Sequence, residues 1–199
     1  MKKQDFKVLK TKDLYPFPDN PFHVAEDETL SELAESIKEF GIVTPIITRP
    51  KEDGDGYEVI AGQRRVRASE LAGINTIPAF VLSLDRDRAI ITLVDSNLQR
   101  ENILPSERAF AYKMKSEAMK RQGFRTDLTS SQVVTKLRTD DKVAQGFGVG
   151  RMTVQRFIRL TELIPPILQM VDEGKIALTP AVELSFLKKD EQENLFATM

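Results

Sequence analysis

Strand-forming patterns in this 199-residue chain end at Asp85, and every periodic segment after that point is helical. A chain divided in this way does not suit one sandwich, barrel or doubly wound sheet. It places a small mixed unit before a purely helical one. In the first part, β-branched runs at 42–48, 57–61 and 77–82 read as strands. Pro45 removes a ladder donor, so the first of these is expected to be broken or to lie at an edge. Asp53-Gly54-Asp55-Gly56 is a hairpin signal between the first two runs. Residues 13–24, with Pro16, Pro18, Asn20 and Pro21, read as an extended loop. One helix is expected where Leu30, Leu33, Ala34, Ile37 and Phe40 share a face, with Thr29 and Glu32 as a capping box and Gly41 as its end. A second runs over 63–72, opened by Gly62 and ended by Gly73.

Helices are expected beyond Asp85 at 86–98, 106–122, 130–138, 140–147, 150–163, 166–173 and 179–187, with a loop at 122–127 and a break at Pro165-Pro166. The fold class is therefore α+β: a small α/β domain over 1–104 and an all-helical domain over 105–199.

Residue counts close off several chemistries. There is no cysteine, which excludes disulfides, thiolate metal sites and a thiol nucleophile. With His23 as the one histidine, a multi-histidine metal site is impossible and a Ser-His-Asp site improbable; His23 itself reads as a loop residue. No apolar run approaches the length of a membrane span and no secretory signal opens the chain, so a soluble, cytoplasmic protein is expected.

The net charge of -1 conceals a block structure. Residues 108–160 carry twelve basic and four acidic residues, while the segments on either side are net acidic. A basic block gains affinity for a polyanion by releasing its counterions. It is equally the composition of a solvated helix face. Within the block, 141–147 and 151–163 flank Gly148-Val149-Gly150, the arrangement of a helix-turn-helix at about 140–163. Val143, Ala144 and Phe147 would face Val154, Phe157, Ile158 and Leu160 in the core. Arg151, Thr153 and Gln155 are then candidates for base contacts, and Arg156 and Arg159 for phosphate contacts. The alternative is an ordinary helical hairpin with a charged exterior.

In the first domain, Gly62-Gln63-Arg64-Arg65-Val66-Arg67-Ala68 places a glycine between a strand and a helix start. Arginines in a first turn oppose the helix dipole unless an anion sits there. That mismatch favours a bound phosphate over a plain arginine-rich surface.

Three ordered segments resemble the ParB partition family. They are Gly41-Ile42-Val43-Thr44-Pro45-Ile46, then 62–68, similar to the family's G-E-R-R-x-R-A, and then 97–109, similar to E-N-x-Q-R-E-x-L-x-P-x-E-x-A. The likeness covers about residues 8–187. It implies a ParB/sulfiredoxin-like N-terminal domain followed by a helix-turn-helix domain, and a clamp that loads on double-stranded DNA at a centromere-like site and slides along it. It implies CTP with Mg²⁺ as ligand, a ParA-type ATPase as partner, nucleotide-dependent homodimerisation, and nucleoid association for a chromosome, plasmid or mobile element. Thr44 and Pro45 would line the nucleotide pocket, Gly62, Gln63, Arg64 and Arg65 the phosphates, Asn97 the metal, and Arg100 the phosphates again. A nucleotide held between the two domains would act as a switch. The resemblance also implies a C-terminal dimerisation domain, expected to be absent from this chain.

Two family carboxylates are replaced, by Gln63 and Ser96, neither of which is a general base near neutral pH. Very slow or absent CTP hydrolysis is expected, although Asp95 and Glu101 stand near. Asn20-Pro21-Phe22-His23 also lacks the basic residue that usually follows. The same domain occurs in sulfiredoxin, excluded here by the missing cysteine, and in free-serine kinases, for which the helix-turn-helix would have no use. A nucleoid-occlusion-like or transcriptional regulator shares nearly every motif with a partition protein.

Overall fold

A computed structural model describes residues 4–98, 100, 102–127 and 139–198. The chain divides into two compact units, one ending at Asn97 and the other beginning at Leu98. The division falls before the boundary at 104 expected from the change to helical patterning, because Leu98 packs against the Tyr112 cluster of the helical unit.

The first unit holds strands β1 (Gln4–Lys10), β2 (Leu14–Pro16), β3 (Ile46–Pro50), β4 (Tyr57–Ala61) and β5 (Thr76–Leu82), with helices α1 (Glu28–Phe40), α2 (Gln63–Leu71) and α3 (Arg86–Asn97). The sheet order is β1-β5-β3-β4-β2. β1–β5 and β3–β4 are antiparallel, β3–β5 and β2–β4 parallel. The β3–β4 hairpin turns on 51–56, and β4 passes directly through Gly62 into α2. Leu9, Ile46, Val59, Ile77, Ala79 and Val81 form the sheet's core, with Val66 of α2 packed on it. Leu30, Ala34 and Ile37 of α1 close against Ala68 of α2.

Several expectations change. Of the two readings of the 42–48 run, the edge strand fails and the break holds: β3 is central and starts after Pro45, so the proline costs the ladder nothing and 42–45 are left as a loop. The expected loop at 13–24 contributes β2, which pairs with β4. Thr29 is not the cap of α1. Asp27 accepts the Leu30 N–H at 2.9 Å, and the Thr29 hydroxyl donates to that same carboxylate at 2.7 Å.

The second unit contains α4 (Pro105–Asp127), α5 (Thr139–Gly146), α6 (Arg151–Leu160), α7 (Pro165–Asp172), α8 (Leu178–Leu184) and α9 (Lys189–Phe196). α4 continues through the segment expected to be a loop at 122–127, since one interior glycine costs a long helix only about 1 kcal/mol. Tyr112, Val143, Ala144 and Val154 join α4, α5 and α6 in one cluster, and Ala109, Leu160, Ile167, Val171, Ala181 and Val182 tie α4 and α6 to α7 and α8. The helix expected at 130–138 lies outside the described residues. No helix among the described residues is long and apolar enough to cross a membrane.

Candidate anion site and nucleic-acid interface

The α2 N-terminus is built by Gly62. Its φ of 104° lies in the left-handed region, and an added Cβ would stand 2.6 Å from Ile46 Cγ2 of β3. Only glycine turns the chain here while β3 approaches so closely. No side chain caps this helix and its first turn has no acidic residue. Its exposed N–H groups and dipole therefore favour an anion.

Arg65 turns onto the 42–45 loop, where its Nη1 donates to the carbonyls of Thr44 and, at 2.8 Å, of Pro45. Burial pushes its guanidinium below the ordinary arginine range. No carboxylate among the described residues pairs with it, so a half-buried positive charge sits beside the electropositive end of α2. Thr44, Pro45, Gly62 and Arg65 are thus neighbours in the structure.

Arg64 does not join them. Its Nη2 donates to Thr29 Oγ1 at 2.6 Å and lies 3.5 Å from Asp27 Oδ1. Gln63 donates to the Val59 carbonyl at 3.4 Å and lines a cavity of about 360 Å³ with Tyr15, Val66 and Arg67. Asn97 is buried at the end of α3, where its Nδ2 donates to the Leu93 carbonyl at 2.8 Å and to Ser96 Oγ at 3.4 Å. Ser96 in turn donates to the Leu93 carbonyl at 2.9 Å. Arg100 belongs to the second unit and is exposed. Glu101 lies outside the described residues, and Asp95 is exposed on α3. Among the described residues no three His, Cys, Asp or Glu side chains cluster to hold a metal, so one neutral amide is a poor basis for a Mg²⁺ site.

In the helical unit, α5 and α6 meet through Gly148, whose φ is 63°, and the Val149 N–H closes the turn on the Ala144 carbonyl at 3.1 Å. Val143 and Val154 are fully buried between them, as the pattern required. Arg151 stays partly exposed, 3.8 Å from Asp141. Thr153 and Gln155 are half-buried, and Gln155 and Arg159 line a groove of about 410 Å³ with Lys113 and Lys120 of α4. The two phosphate candidates are braced internally. Arg156 donates to Thr179 Oγ1 at 2.5 Å. Arg159 donates to Ser185 Oγ at 3.1 Å and to its carbonyl, and stacks 4.2 Å from the Phe186 ring centroid.

Sequence reasoning missed Asp27 and Thr29 as partners of Arg64, and Ser185 as partner of Arg159. The nearest signal was the Glu26-Asp27-Glu28-Thr29 run, readable only as a helix start.

Comparison with known proteins supplies the setting. A family model for the ParB N-terminal domain matches residues 1–98, and one for the ParB HTH domain matches 129–199. The probable chromosome 1-partitioning protein ParB of Deinococcus radiodurans is 39% identical over 178 residues, covering 89% of this chain and 54% of that protein. A nucleoid occlusion protein of Halalkalibacterium halodurans is 34% identical over 193 residues, covering 96% of this chain and 61% of that one. The chain spans little more than half the length of the curated relatives it matches. Among solved structures, the C-terminally truncated ParB of Caulobacter crescentus, complexed to the centromeric parS site, superposes with a TM-score of 0.58 at 26% identity, covering 90% of this chain and 84% of that one.

Proposed function

Because the chain belongs to the ParB family, we propose that it is a partition protein: a nucleotide-switched DNA clamp that reads a centromere-like duplex site through α6. The observation that carries the nucleotide half is the Gly62 turn, with the half-buried Arg65 beside an uncapped helix start. In this reading the α2 N–H groups and Arg65 take the phosphates, and Arg64 swings in to join them. Thr44 and Pro45 form the wall that Arg65 holds in place. The preference for CTP rests on the likeness of these motifs to the family's, since the geometry itself selects only for an anion.

Hydrolysis is very slow or absent. Gln63 and Ser96 are both committed to backbone carbonyls, and neither accepts a proton from water near neutral pH. The described residues build no metal site of their own, so no step is assigned to Mg²⁺.

In the DNA half, Arg151, Thr153 and Gln155 read base edges in the major groove. Arg156 and Arg159 contact phosphates with the donors not used on Thr179 and Ser185. The Caulobacter relative, solved on its parS site, supports a duplex as the ligand. The nucleotide-dependent dimer and the ParA-type partner belong to the same proposal. A nucleoid-occlusion role is the second reading, favoured by the 34% identical relative of that name. A genomic binding profile separates the two: one cluster of sites near a replication origin or partition locus supports segregation, and dispersed sites support occlusion or regulation.

The nucleotide test is a binding titration with each of the four nucleoside triphosphates. CTP is expected to bind alone, and Arg64→Ala to abolish binding. Equal binding of all four, or of none, contradicts the proposal.

A further inference from the structure

α2 carries Arg64, Arg65 and Arg67, and a short acidic stretch ahead of α1 holds two of the three. Arg67 donates to Glu26 Oε1 at 2.5 and 2.9 Å and to Glu70 at 3.1 Å. Arg64 is held by Thr29 and Asp27. Asp27 Oδ1 is the focus of that second contact: it accepts from the Leu30 N–H and the Thr29 hydroxyl while facing Arg64. The Thr29 bond, the Leu30 bond and the Arg64 charge hold the Asp27 carboxyl below the usual carboxylate range, so it stays anionic at neutral pH. Arg65, one residue along, has no such partner among the described residues.

We propose that Asp27 and Thr29 act as an internal competitor for the phosphate, occupying Arg64 when the Gly62 turn is empty and setting the affinity with which an anion there can draw it away. This rests on the phosphate reading of the Gly62 turn. The chemistry is one of exchange. A guanidinium between a carboxylate oxygen and a hydroxyl makes the same kind of charge-assisted bond that a phosphate oxygen offers. An arriving phosphate must therefore break the first contact to make the second, and the difference between them is the net gain. The Arg64 and Asp27 side chains are 31% and 46% exposed, so the contact is in the weak range of surface pairs. Its removal should tighten binding about two- to five-fold, not by orders of magnitude.

The test uses the whole chain and CTP with Mg²⁺ as probe. Asp27→Asn keeps the helix cap, because asparagine caps as well as aspartate, but removes the charge that holds Arg64. It should bind CTP about two- to five-fold more tightly than wild type. Thr29→Ala should tighten binding in the same direction. Glu26→Gln is the control: it removes one negative charge from the same stretch but weakens only the hold on Arg67, which keeps Glu70 and has no part in the site, and should leave the affinity unchanged. An Asp27→Asn affinity equal to or weaker than wild type overturns the inference. So does equal tightening by Glu26→Gln, which would show a general charge effect. Failure of the phosphate reading looks different: wild type itself then binds no CTP, or Arg64→Ala binds it normally.

Discussion

Both units start a helix with a glycine followed closely by arginine, and the two glycines are there for opposite reasons. Gly62 is left-handed, with no room for a Cβ against Ile46. Gly150 is extended, at φ -74° and ψ 148°, and a Cβ there would meet only Thr153 Oγ1, at 3.9 Å. The arginines differ in parallel. Arg65, half-buried, donates to neutral carbonyls, whereas Arg151, equally half-buried, faces the carboxylate of Asp141. A glycine that the backbone demands, next to a half-buried cation on neutral carbonyls, fixes its turn whether or not a ligand is bound. A replaceable glycine ahead of a partly solvated arginine marks a surface that waits for its partner.

The sharpest way to break this contrast is to add a methyl group to each glycine. Gly62→Ala puts a β-carbon into a contact that cannot relax cheaply and forces a positive φ, at about 1–3 kcal/mol of stability. CTP affinity should fall at least about ten-fold, the equivalent of 1.4 kcal/mol. Gly150→Ser should leave the melting temperature unchanged or slightly raised, since serine is a better N-cap than glycine by a few tenths of a kcal/mol. Thermal melts of the two variants decide this. If Gly62→Ala is tolerated as well as Gly150→Ser, the contrast fails.

Next in size is the proposed DNA face on α6. Arg151→Ala should cost about 1–3 kcal/mol against the specific site, concentrated at one base position. Uniform weakening across all sequences in a competition assay would demote Arg151 to a phosphate contact. Arg159→Ala should instead lower the melting temperature as well, because it strips the Ser185 and Phe186 contacts that join α6 to the end of α8.

The smallest effect is acid sensitivity at the α1 cap. The Asp27 pKa is lowered on folding, so its contribution is present above the unfolded carboxylate value and is lost as pH falls below about 4. Asp27→Asn should flatten that part of the stability profile; an unchanged acid limb would show that the cap does not titrate.

What was legible beforehand was local. The 62–68 segment, the 53–56 hairpin and the Gly148 turn are short-range patterns in which glycine and apolar spacing leave little choice, and the structure has each of them. The central position of β3 was not legible, because strand order is decided by pairing with β5, some thirty residues on in the chain. β1 escaped notice because Phe6 and Val8 point largely to solvent, with Phe6 resting on Phe80 across the ladder. α9 has a weak apolar face and is anchored by the buried Gln192, which accepts from the Ile164 N–H at 2.9 Å and donates to the carbonyls of Glu162 and Leu187. In the candidate anion site the residue types were readable but the partners were not. Arg64 meets Thr29 from thirty-five positions away, and Arg159 meets Ser185 from twenty-six.

An amide-resolved NMR titration of the chain with CTP locates the ligand directly. Gly62, Arg64 and Arg65 should show the largest shifts, with Thr44 moving alongside. Shifts centred instead on Tyr15 and Glu70, around the cavity on the other flank of α2, or spread evenly over both units, would contradict the account.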